Sequence, residues 1–460
     1  MVGASVLWLR RDLRLQDNPA LLEAAARGPV LPLFVLDPVL LGPAGAVRTA
    51  FLLRCLRALD VSLGGRLVVR HGDPSVVVPA VAREAGADAV VAAADLGPYG
   101  QARDGRVGDR VPLVRVGSPY AVEPGAVAKA DGTPYQVFTP YYRAWTTHGA
   151  APPAPRPDPS TLAWVEGVAS DPIPADPALD AALPRAGEDA ALARLDVFLA
   201  DAVADYGARR DRPDVDGTSR LSPYLRWGCV HPRTVLARLG RSEGESALRR
   251  QLAWRDFYAD VLLQRPDSAR ANWNGAYDAL PCDTDVAARG RFDAWAAGRT
   301  GYPIVDAGMR QLLGEGWVHN RVRMIAASFL VKDLHCPWTW GARWFLAHLV
   351  DGDLASNHHG WQWVAGSGTD AAPYFRVFNP VRQGATFDPD GVYIRRWVPE
   401  LAGVAAADLH DPARLTALKA TLAAPPGLAE YPDPVVDHAE ERAEALRRYA
   451  RVRAAGTRRP

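Results

Sequence analysis

Short apolar runs alternate with amphipathic segments over the first 125 residues of the chain. Each run is continuously apolar, which is typical of strands buried on both faces of a parallel sheet. The segments between them space their apolar residues as helices covering such a sheet do. The pattern predicts a Rossmann-like α/β domain over 1–125 with a parallel five-stranded sheet. Its predicted strands are SVLWLR, PVLPLFVLD, GRLVVRHG, DAVVAAAD and VPLVRVG, and its predicted helices span 18–28, 47–63, 75–86 and 99–110.

Residues 126–187 are rich in proline and alanine and show little apolar periodicity. This composition predicts a long interdomain linker that runs over the surface. One aromatic stretch within it, TPYQVFTPYYRAW, is expected to pack against a domain. From 188 to 460 the apolar spacing is helical, interrupted by short Pro/Gly breaks, and predicts a large all-α domain.

Bulk properties exclude several classes of protein. The apolar fraction of 48% and the charged fraction of 23% are ordinary for a globular protein. Without an apolar leader or a run of eighteen apolar residues, we expect neither export nor membrane insertion, and a cytoplasmic monomer. The four cysteines form no CxxC pair, so reduced thiols are expected. Since the net charge is only +1, any nucleic-acid-binding surface must be local.

The stretch 317–380 is dense in tryptophan and carries polar residues among the aromatic ones. Buried charges are costly unless they are paired, so an apolar core alone does not explain this mixture. The combination points to a polar ligand with a flat aromatic part. The polar residues are Asn320, Arg321, Arg323, Asp351, Asp353 and Asn357.

Motifs spread over the chain resemble one known family. They are VLWLRRDLRLQDNPAL, VDGTSRLSPYLRWG, LAWRDFY, TGYPIVDAGMRQL, WVHNRVRM, DGDLASN, GWQWVAGSGTDAAPYFRVFNP and YPDPVVDHAEER. Together they resemble the photolyase/cryptochrome family, specifically the class I cyclobutane pyrimidine dimer photolyases. The resemblance implies an antenna-chromophore domain, a linker and a helical domain that binds FAD and DNA. The implied activity is light-driven splitting of pyrimidine dimers by an electron from excited reduced FAD, without a metal.

The resemblance also implies which residues contact FAD. Hydroxyls and a cation before a helical run, in TSRLS, suit a phosphate group. Arg323 and Asp351 are expected to form a salt bridge beside the flavin ring. Asp353 is expected to bond the ring or ribitol side, and Asn357 to face N5 of the ring. The implied FAD contacts are Tyr206, Thr218, Ser219, Arg220, Leu221, Ser222, Arg255, Asn320, Arg323, Asp351, Asp353 and Asn357.

Trp361 and Trp338 match the proximal and middle members of the family's electron-hopping chain. The distal position is Asp285 here, a departure from the family pattern. Whether Trp273, Trp340 or Trp344 takes its place stays open.

A third implied set binds DNA. Trp254 and Trp363 match the walls that hold the flipped dimer, with Met324 and Asn320 nearby. Gln251 stands where the family commonly has a dimer-bonding glutamate, which puts the efficiency of repair in doubt. The matched phosphate-contacting arginines are Arg210, Arg321 and Arg376.

The antenna chromophore is expected at Asp95 and Tyr99 within DLGPYGQARDGRV. The stretch favours 8-hydroxy-5-deazaflavin, with 5,10-methenyltetrahydrofolate as the alternative and an empty structural domain as a third. Rival functions are a blue-light cryptochrome, a (6-4) photolyase and a DNA-binding flavoprotein without repair activity. Asn357 and the short segment after Pro434 speak against the first rival, and the WVHNRVRM pattern against the second.

Overall fold

The computed structural model describes residues 3–373 and 376–456, and its first domain contains all five predicted strands. They form one parallel sheet of order β3-β2-β1-β4-β5. The strand β2 is buried along its whole length, as a strand covered on both faces must be. The strands are β1 (Ala4–Leu9), β2 (Val30–Leu36), β3 (Val68–His71), β4 (Ala87–Ala92) and β5 (Leu113–Arg115), and the main helices around them are Pro19–Arg27, Gly45–Ser62, Pro74–Glu84 and Pro98–Gly108.

The chain from residue 188 onward is helical, as predicted. The helix Glu243–Gln264 starts with a reciprocal capping box. The Ser242 side chain accepts the backbone N–H of Glu245, and the Glu245 side chain accepts the backbone N–H of Ser242. The fold class is confirmed. The principal helices are Glu188–Asp201, Ser222–Trp227, Pro232–Ala237, Glu243–Gln264, Val286–Ala296, Pro303–Glu315, Asn320–Ser328, Trp338–His348, Leu354–Ala365, Pro380–Phe387, Val392–Trp397, Pro412–Lys419 and His438–Gly456, and a π-helical turn spans Phe329–Asp333.

The stretch between the two domains contains a helix, Phe138–His148. Its residues Phe138, Tyr141 and Trp145 are buried, and the Phe138 ring stacks on Trp254 with 3.7 Å between ring centroids. Trp145 donates its indole N–H to Asp256 at 3.0 Å. The predicted docking of this aromatic stretch is therefore confirmed, whereas the domain boundaries at 125 and 187 stay predictions.

The two domains share one apolar core. Phe51 and Leu56 of the first domain pack there with Leu195 and Tyr224 of the second. One segment of this core, Pro38–Ser62, has the length and apolar composition of a membrane span, and half of the 18-residue window that meets this description is buried inside the protein. A core helix of a globular protein passes the same test.

Two cysteines that lie far apart in the sequence meet in this shared core. Cys55 and Cys229 are both buried and free, with 3.5 Å between their sulfur atoms. Burial raises the pKa of Cys55 well above its ordinary value. Thiols in such an environment are inert, in keeping with the expectation of reduced cysteines.

Candidate cofactor and substrate site

A cavity of about 520 Å³ opens in the helical domain, a size within the range of cofactor and substrate pockets. Most of the residues implied by the family resemblance meet there, although they come from separate stretches of the chain. Those lining it are Tyr206, Arg210, Ser219, Ser222, Gln251, Trp254, Arg255, Asn320, Arg321, Arg323, Met324, Asp351, Asp353, Asn357, Trp361 and Trp363.

Helical periodicity explains why these side chains converge. On the helix Asn320–Ser328, residues 320, 323, 324 and 327 line the cavity, at the spacing of one helix face. On Leu354–Ala365, Asn357 and Trp361 are four apart and also lie on one face. The polar positions that looked out of place in the sequence thus line one wall.

Arg323 and Asp351 form the predicted ion pair, with 2.8 Å between Nη2 and Oδ2. Asp351 is buried, and its second oxygen, Oδ1, has no hydrogen-bond partner within the described part of the chain. A buried carboxylate oxygen without a donor costs about 1–3 kcal/mol. The wall therefore offers an acceptor to a ligand that carries N–H or O–H donors, and both the flavin ring and the ribityl chain of FAD carry them.

Asp353 is held from two sides by the protein itself. Its Oδ1 caps the helix Leu354–Ala365 by accepting the Ser356 N–H at 3.0 Å, and its Oδ2 meets Arg11 at 2.7 Å. Burial alone would raise the pKa of Asp353, but Arg11, Arg226 and Arg255 hold that pKa well below its ordinary value. The expected bond from Asp353 to the flavin stays a prediction, whereas its role in joining the two domains is a finding.

The Asn357 side chain is oriented by the neighbouring helix. Its Nδ2 donates to the Ala342 carbonyl at 2.9 Å, which leaves Oδ1 as the available acceptor. Asn357 is not a helix cap, since Asp353 fills that role. An acceptor at this point favours a ligand atom that carries a proton.

Two family models match the chain: residues 5–159 match DNA photolyase, and residues 248–451 match the FAD binding domain of DNA photolyase. A deoxyribodipyrimidine photo-lyase of Halobacterium salinarum is 41% identical, with 97% of this chain and 99% of the relative covered. One from Streptomyces griseus is 43% identical, with 96% and 98% covered. The chain belongs to the photolyase/cryptochrome family.

The solved structure of a bacterial class III photolyase from Agrobacterium tumefaciens matches with a TM-score of 0.88 and 38% identity, and 99% of this chain and 98% of that chain are covered. The comparisons thus support the family and its FAD-binding domain. They do not confirm the class I assignment.

Photolyase sites need a wall for the flipped lesion, and in this chain Trp254 and Gln251 lie together in the cavity lining. One face of the Trp254 ring is covered by Phe138. Arg255 is fixed by donating to the carbonyls of Pro119 at 2.7 Å and Leu225 at 3.1 Å. The helix Phe138–His148, which the sequence analysis did not assign to the site, thus supports the Trp254 ring from behind through Phe138.

The arginines implied in phosphate binding have different surroundings. Arg321 pairs with Asp211 at 2.8 Å and lies over the Phe387 ring, while Arg210 is 3.9 Å from the same carboxylate. Both line the cavity. Arg376 is exposed and lies outside the cavity lining.

Three residues of the TSRLS motif are not part of the cavity lining. The Arg220 guanidinium packs over Trp317 at 4.6 Å and pairs with Asp216 and Glu315 beside a separate cavity. The Thr218 carbonyl accepts from Arg194, and Leu221 is buried in the shared core. Their assignment as FAD contacts stays a prediction that the position of Arg220 does not favour.

The tryptophans around the cavity form an unexpected arrangement. Trp361 packs edge-on against Trp295, with 6.1 Å between ring centroids. Trp338 instead meets His358 edge-on at 5.9 Å and donates its indole N–H to Asn272 at 3.0 Å. Asp285, at the position of the distal tryptophan, caps the helix Val286–Ala296. The sequence predicted no role for Trp295 and no contact between it and Trp361.

A second cavity, of about 300 Å³, lies between the α/β domain and the helical domain. Both predicted antenna residues, Asp95 and Tyr99, line it. Tyr99 donates to Asp37, and burial together with this carboxylate raises the pKa of Tyr99 to about 12. Arginines outnumber aspartates in the lining, which contains Arg10, Arg11, Arg48, Arg103 and Arg226 with Asp37, Asp95 and Asp353.

His359, two residues before Trp361, provides a test of pH dependence. Burial lowers its pKa to about 4, so the native state keeps it neutral while the unfolded chain takes up a proton below about pH 6.5. Its stabilising contribution is present above pH 6.5 and is lost as the pH falls toward 4.

We therefore expect the wild type to lose about 1.4 kcal/mol per pH unit relative to His359→Phe below pH 6.5. Phenylalanine preserves the ring stacked on Tyr258 but cannot titrate. Urea denaturation of both proteins at pH 7 and pH 5 measures the difference in slope. If the free energies of unfolding of the two proteins changed in parallel with pH, His359 would not be the group that titrates on unfolding.

Proposed function

We propose that this protein is a light-dependent DNA repair enzyme that binds FAD in the larger cavity and splits cyclobutane pyrimidine dimers. One observation carries the proposal: a single cavity joins the Arg323–Asp351 wall to Trp254, Gln251 and Trp363. A planar cofactor and a flipped lesion therefore have adjoining places. The names of the curated relatives support the same reaction.

When bound, reduced and excited by light, FAD supplies one electron to the dimer and takes it back after the ring has split. The protein's residues bind and orient the reactants. Oδ1 of Asn357 is available to accept a hydrogen bond from a protonated N5 of the flavin. Oδ1 of Asp351 is available to accept one from another donor of the cofactor. Trp254 and Trp363 supply apolar faces for the lesion, and stacking of a base on an aromatic side chain is worth about 1–3 kcal/mol.

The direct test uses the purified, reduced protein with an oligonucleotide that carries one cyclobutane dimer. We expect light-dependent loss of the dimer and none in the dark. A protein that carries FAD and binds the damaged oligonucleotide but leaves the dimer intact under light would exclude repair, and would favour the flavoprotein without repair activity or the cryptochrome. Restoration of a (6-4) lesion instead would establish the other rival.

Gln251 is expected to limit the efficiency of repair. An amide donates a hydrogen bond to the lesion but carries neither a negative charge nor a carboxyl proton. We expect Gln251→Glu to raise the repair yield per absorbed photon about two- to tenfold, the effect of about 0.4–1.4 kcal/mol in the competition with back transfer. The repair yield of both proteins under identical light, with equal FAD content, measures this. An unchanged or lower repair yield in Gln251→Glu would show that the Gln251 amide does not limit repair.

We propose that the second cavity holds the antenna chromophore, with 8-hydroxy-5-deazaflavin first and 5,10-methenyltetrahydrofolate second. The arginine excess of its lining supports a chromophore with an ionisable or anionic group. The absorption spectrum of the purified protein identifies the bound chromophore. The assignment of this chain to the class I photolyases stays a prediction, since the solved photolyase from Agrobacterium tumefaciens belongs to class III.

A further inference from the structure

Lys332 is a buried cation in a protein that has almost no lysine. The chain uses arginine at nearly every cationic position, and Lys332 is one of three lysines, with Lys129 and Lys419. Its side chain is 1% exposed. Burying an ammonium group is costly unless it is paired and hydrogen-bonded, so an apolar residue would fit this position at lower cost.

Within the described part of the chain, the Lys332 ammonium makes one hydrogen bond outside its own turn. Its Nζ donates to the backbone carbonyl of Arg376 at 2.8 Å, and it lies 5.7 Å from the centre of the Tyr449 ring. The neighbouring carboxylate, Asp333, is itself bonded to His438. A charge-assisted hydrogen bond of this kind is about twice as strong as a neutral one, and here it fixes a single carbonyl on the segment that carries Arg376.

The turn that contains Lys332 continues the helix that lines the large cavity. Residues Asn320–Ser328 form that helix, and Phe329–Asp333 follow as a π-helical turn, a feature frequent at functional sites. Ser328, at the junction, accepts the N–H of Phe378 at 3.4 Å. The same rigid piece therefore presents Arg321 at the cavity and holds the backbone on both sides of Val377.

Arg376 is exposed, whereas the backbone around it is anchored. Its guanidinium lies 5.3 Å from the Phe378 ring, and Phe378 is buried in the helical core. Phosphate contacts set the register and orientation of a protein on DNA. Two arginines held by one rigid element keep a constant separation, which a repeating phosphate backbone can match.

We propose that Lys332 is a positioning residue for DNA binding, which acts by holding the Arg376 backbone at a set distance from Arg321. It touches neither the cofactor cavity nor the exposed surface. The inference rests on the proposed function, because it assumes that Arg376 meets a DNA phosphate. Burial lowers the pKa of Lys332 to about 8, so the ammonium form is present at neutral pH.

The test is binding of a dimer-containing oligonucleotide in the dark, measured for the FAD-loaded protein at several salt concentrations. Lys332→Met is expected to raise the Kd about three- to tenfold, the effect of losing one hydrogen-bonded contact, and to lower the salt slope by about one. Repair per photon at saturating DNA should not change. Lys332→Gln, too short to reach the carbonyl, is expected to behave in the same way if Lys332→Met folds poorly.

Two further variants separate positioning from general damage. Lys419→Met removes another lysine, one whose ammonium bonds Tyr431 and Asp433 instead of the Arg376 segment, and should leave the Kd unchanged. In an Arg376→Ala background, adding Lys332→Met should cause no further loss of affinity. Additive losses, or wild-type affinity in Lys332→Met, would overturn the inference. A wild type that does not bind the damaged oligonucleotide would instead overturn the proposed function.

Discussion

Asp353→Asn is expected to lower the free energy of unfolding of the apoprotein by about 3–5 kcal/mol, as removal of one partner from a buried ion pair does. Asparagine keeps the shape and can still cap the helix Leu354–Ala365. It removes the charge that Arg11, Arg226 and Arg255 share. Because Asp353 lines both cavities, the variant is expected to weaken binding at both.

Asp351→Asn is the matched control two residues away. Asp351 forms an ion pair with Arg323, whose side chain is 25% exposed, so water can compensate the lost charge. We expect a loss of about 1–2 kcal/mol there. Urea denaturation and bound FAD per protein measure both variants. If both variants lost the same free energy of unfolding, water would be solvating the arginines around Asp353 well enough to replace its charge.

The sign of the pH dependence follows from the depressed pKa of Asp353. Its stabilising contribution is complete above the pKa of an unfolded aspartate, about 3.9, and is lost only as the pH falls through the lower folded-state pKa. The difference between wild type and Asp353→Asn should therefore be constant from neutral pH down to about pH 5. A difference that shrinks between pH 7 and 5 would contradict this account.

Trp361→Phe is expected to slow light-driven reduction of the bound, oxidised flavin about a hundredfold, equivalent to about 2.7 kcal/mol in activation free energy. Trp361 is buried and lines the cavity, and the family resemblance implies that it is the proximal member of the electron-hopping chain. Phenylalanine preserves its packing but is much harder to oxidise. Loss of flavin absorbance under blue light with an added thiol measures the rate. The FAD content should not change.

Substitutions of Trp338 and Trp295 test which residue passes the electron to Trp361. Trp338→Phe should slow reduction, since the family resemblance makes Trp338 the middle member of the chain. Trp295→Phe is the matched control, because Trp295 is fully buried and has two further ring neighbours, Phe292 and Phe345. A normal rate in Trp338→Phe with a slow rate in Trp295→Phe would assign the route to the Trp361–Trp295 contact instead.

The fold could be predicted from local pattern. The strands begin or centre on short apolar runs, of which β2 is buried along its whole length, and helices such as Pro19–Arg27 start at a side chain that caps them, here Asn18. These signals act over a few residues, so the sequence displays them directly. The helix within the linker was not predicted, although Phe138, Tyr141 and Trp145 have helical spacing. The sequence around it is rich in proline and alanine, and the whole stretch was therefore interpreted as a linker.

The site could be predicted only in part, and for a different reason. Motif resemblance assigned Asn357 and Arg323 to the flavin and Gln251 to the lesion, and the structure brings all three to one cavity. It gave no account of Arg11, whose partner Asp353 lies 342 residues away. Nor did it show that Arg220 turns to another cavity, since a motif fixes residue types but not the direction of each side chain.

The sequence by itself determined the order of the domains, the strands and helices, and the residue types that surround a flavin and a lesion. Tertiary structure alone decided which charges meet across the domain interface, which ring contacts Trp361, and that Lys332 holds the backbone of Arg376. The physical reason is that periodicity and capping are local, whereas ion pairs and ring contacts depend on chain segments whose separation in space the sequence does not record.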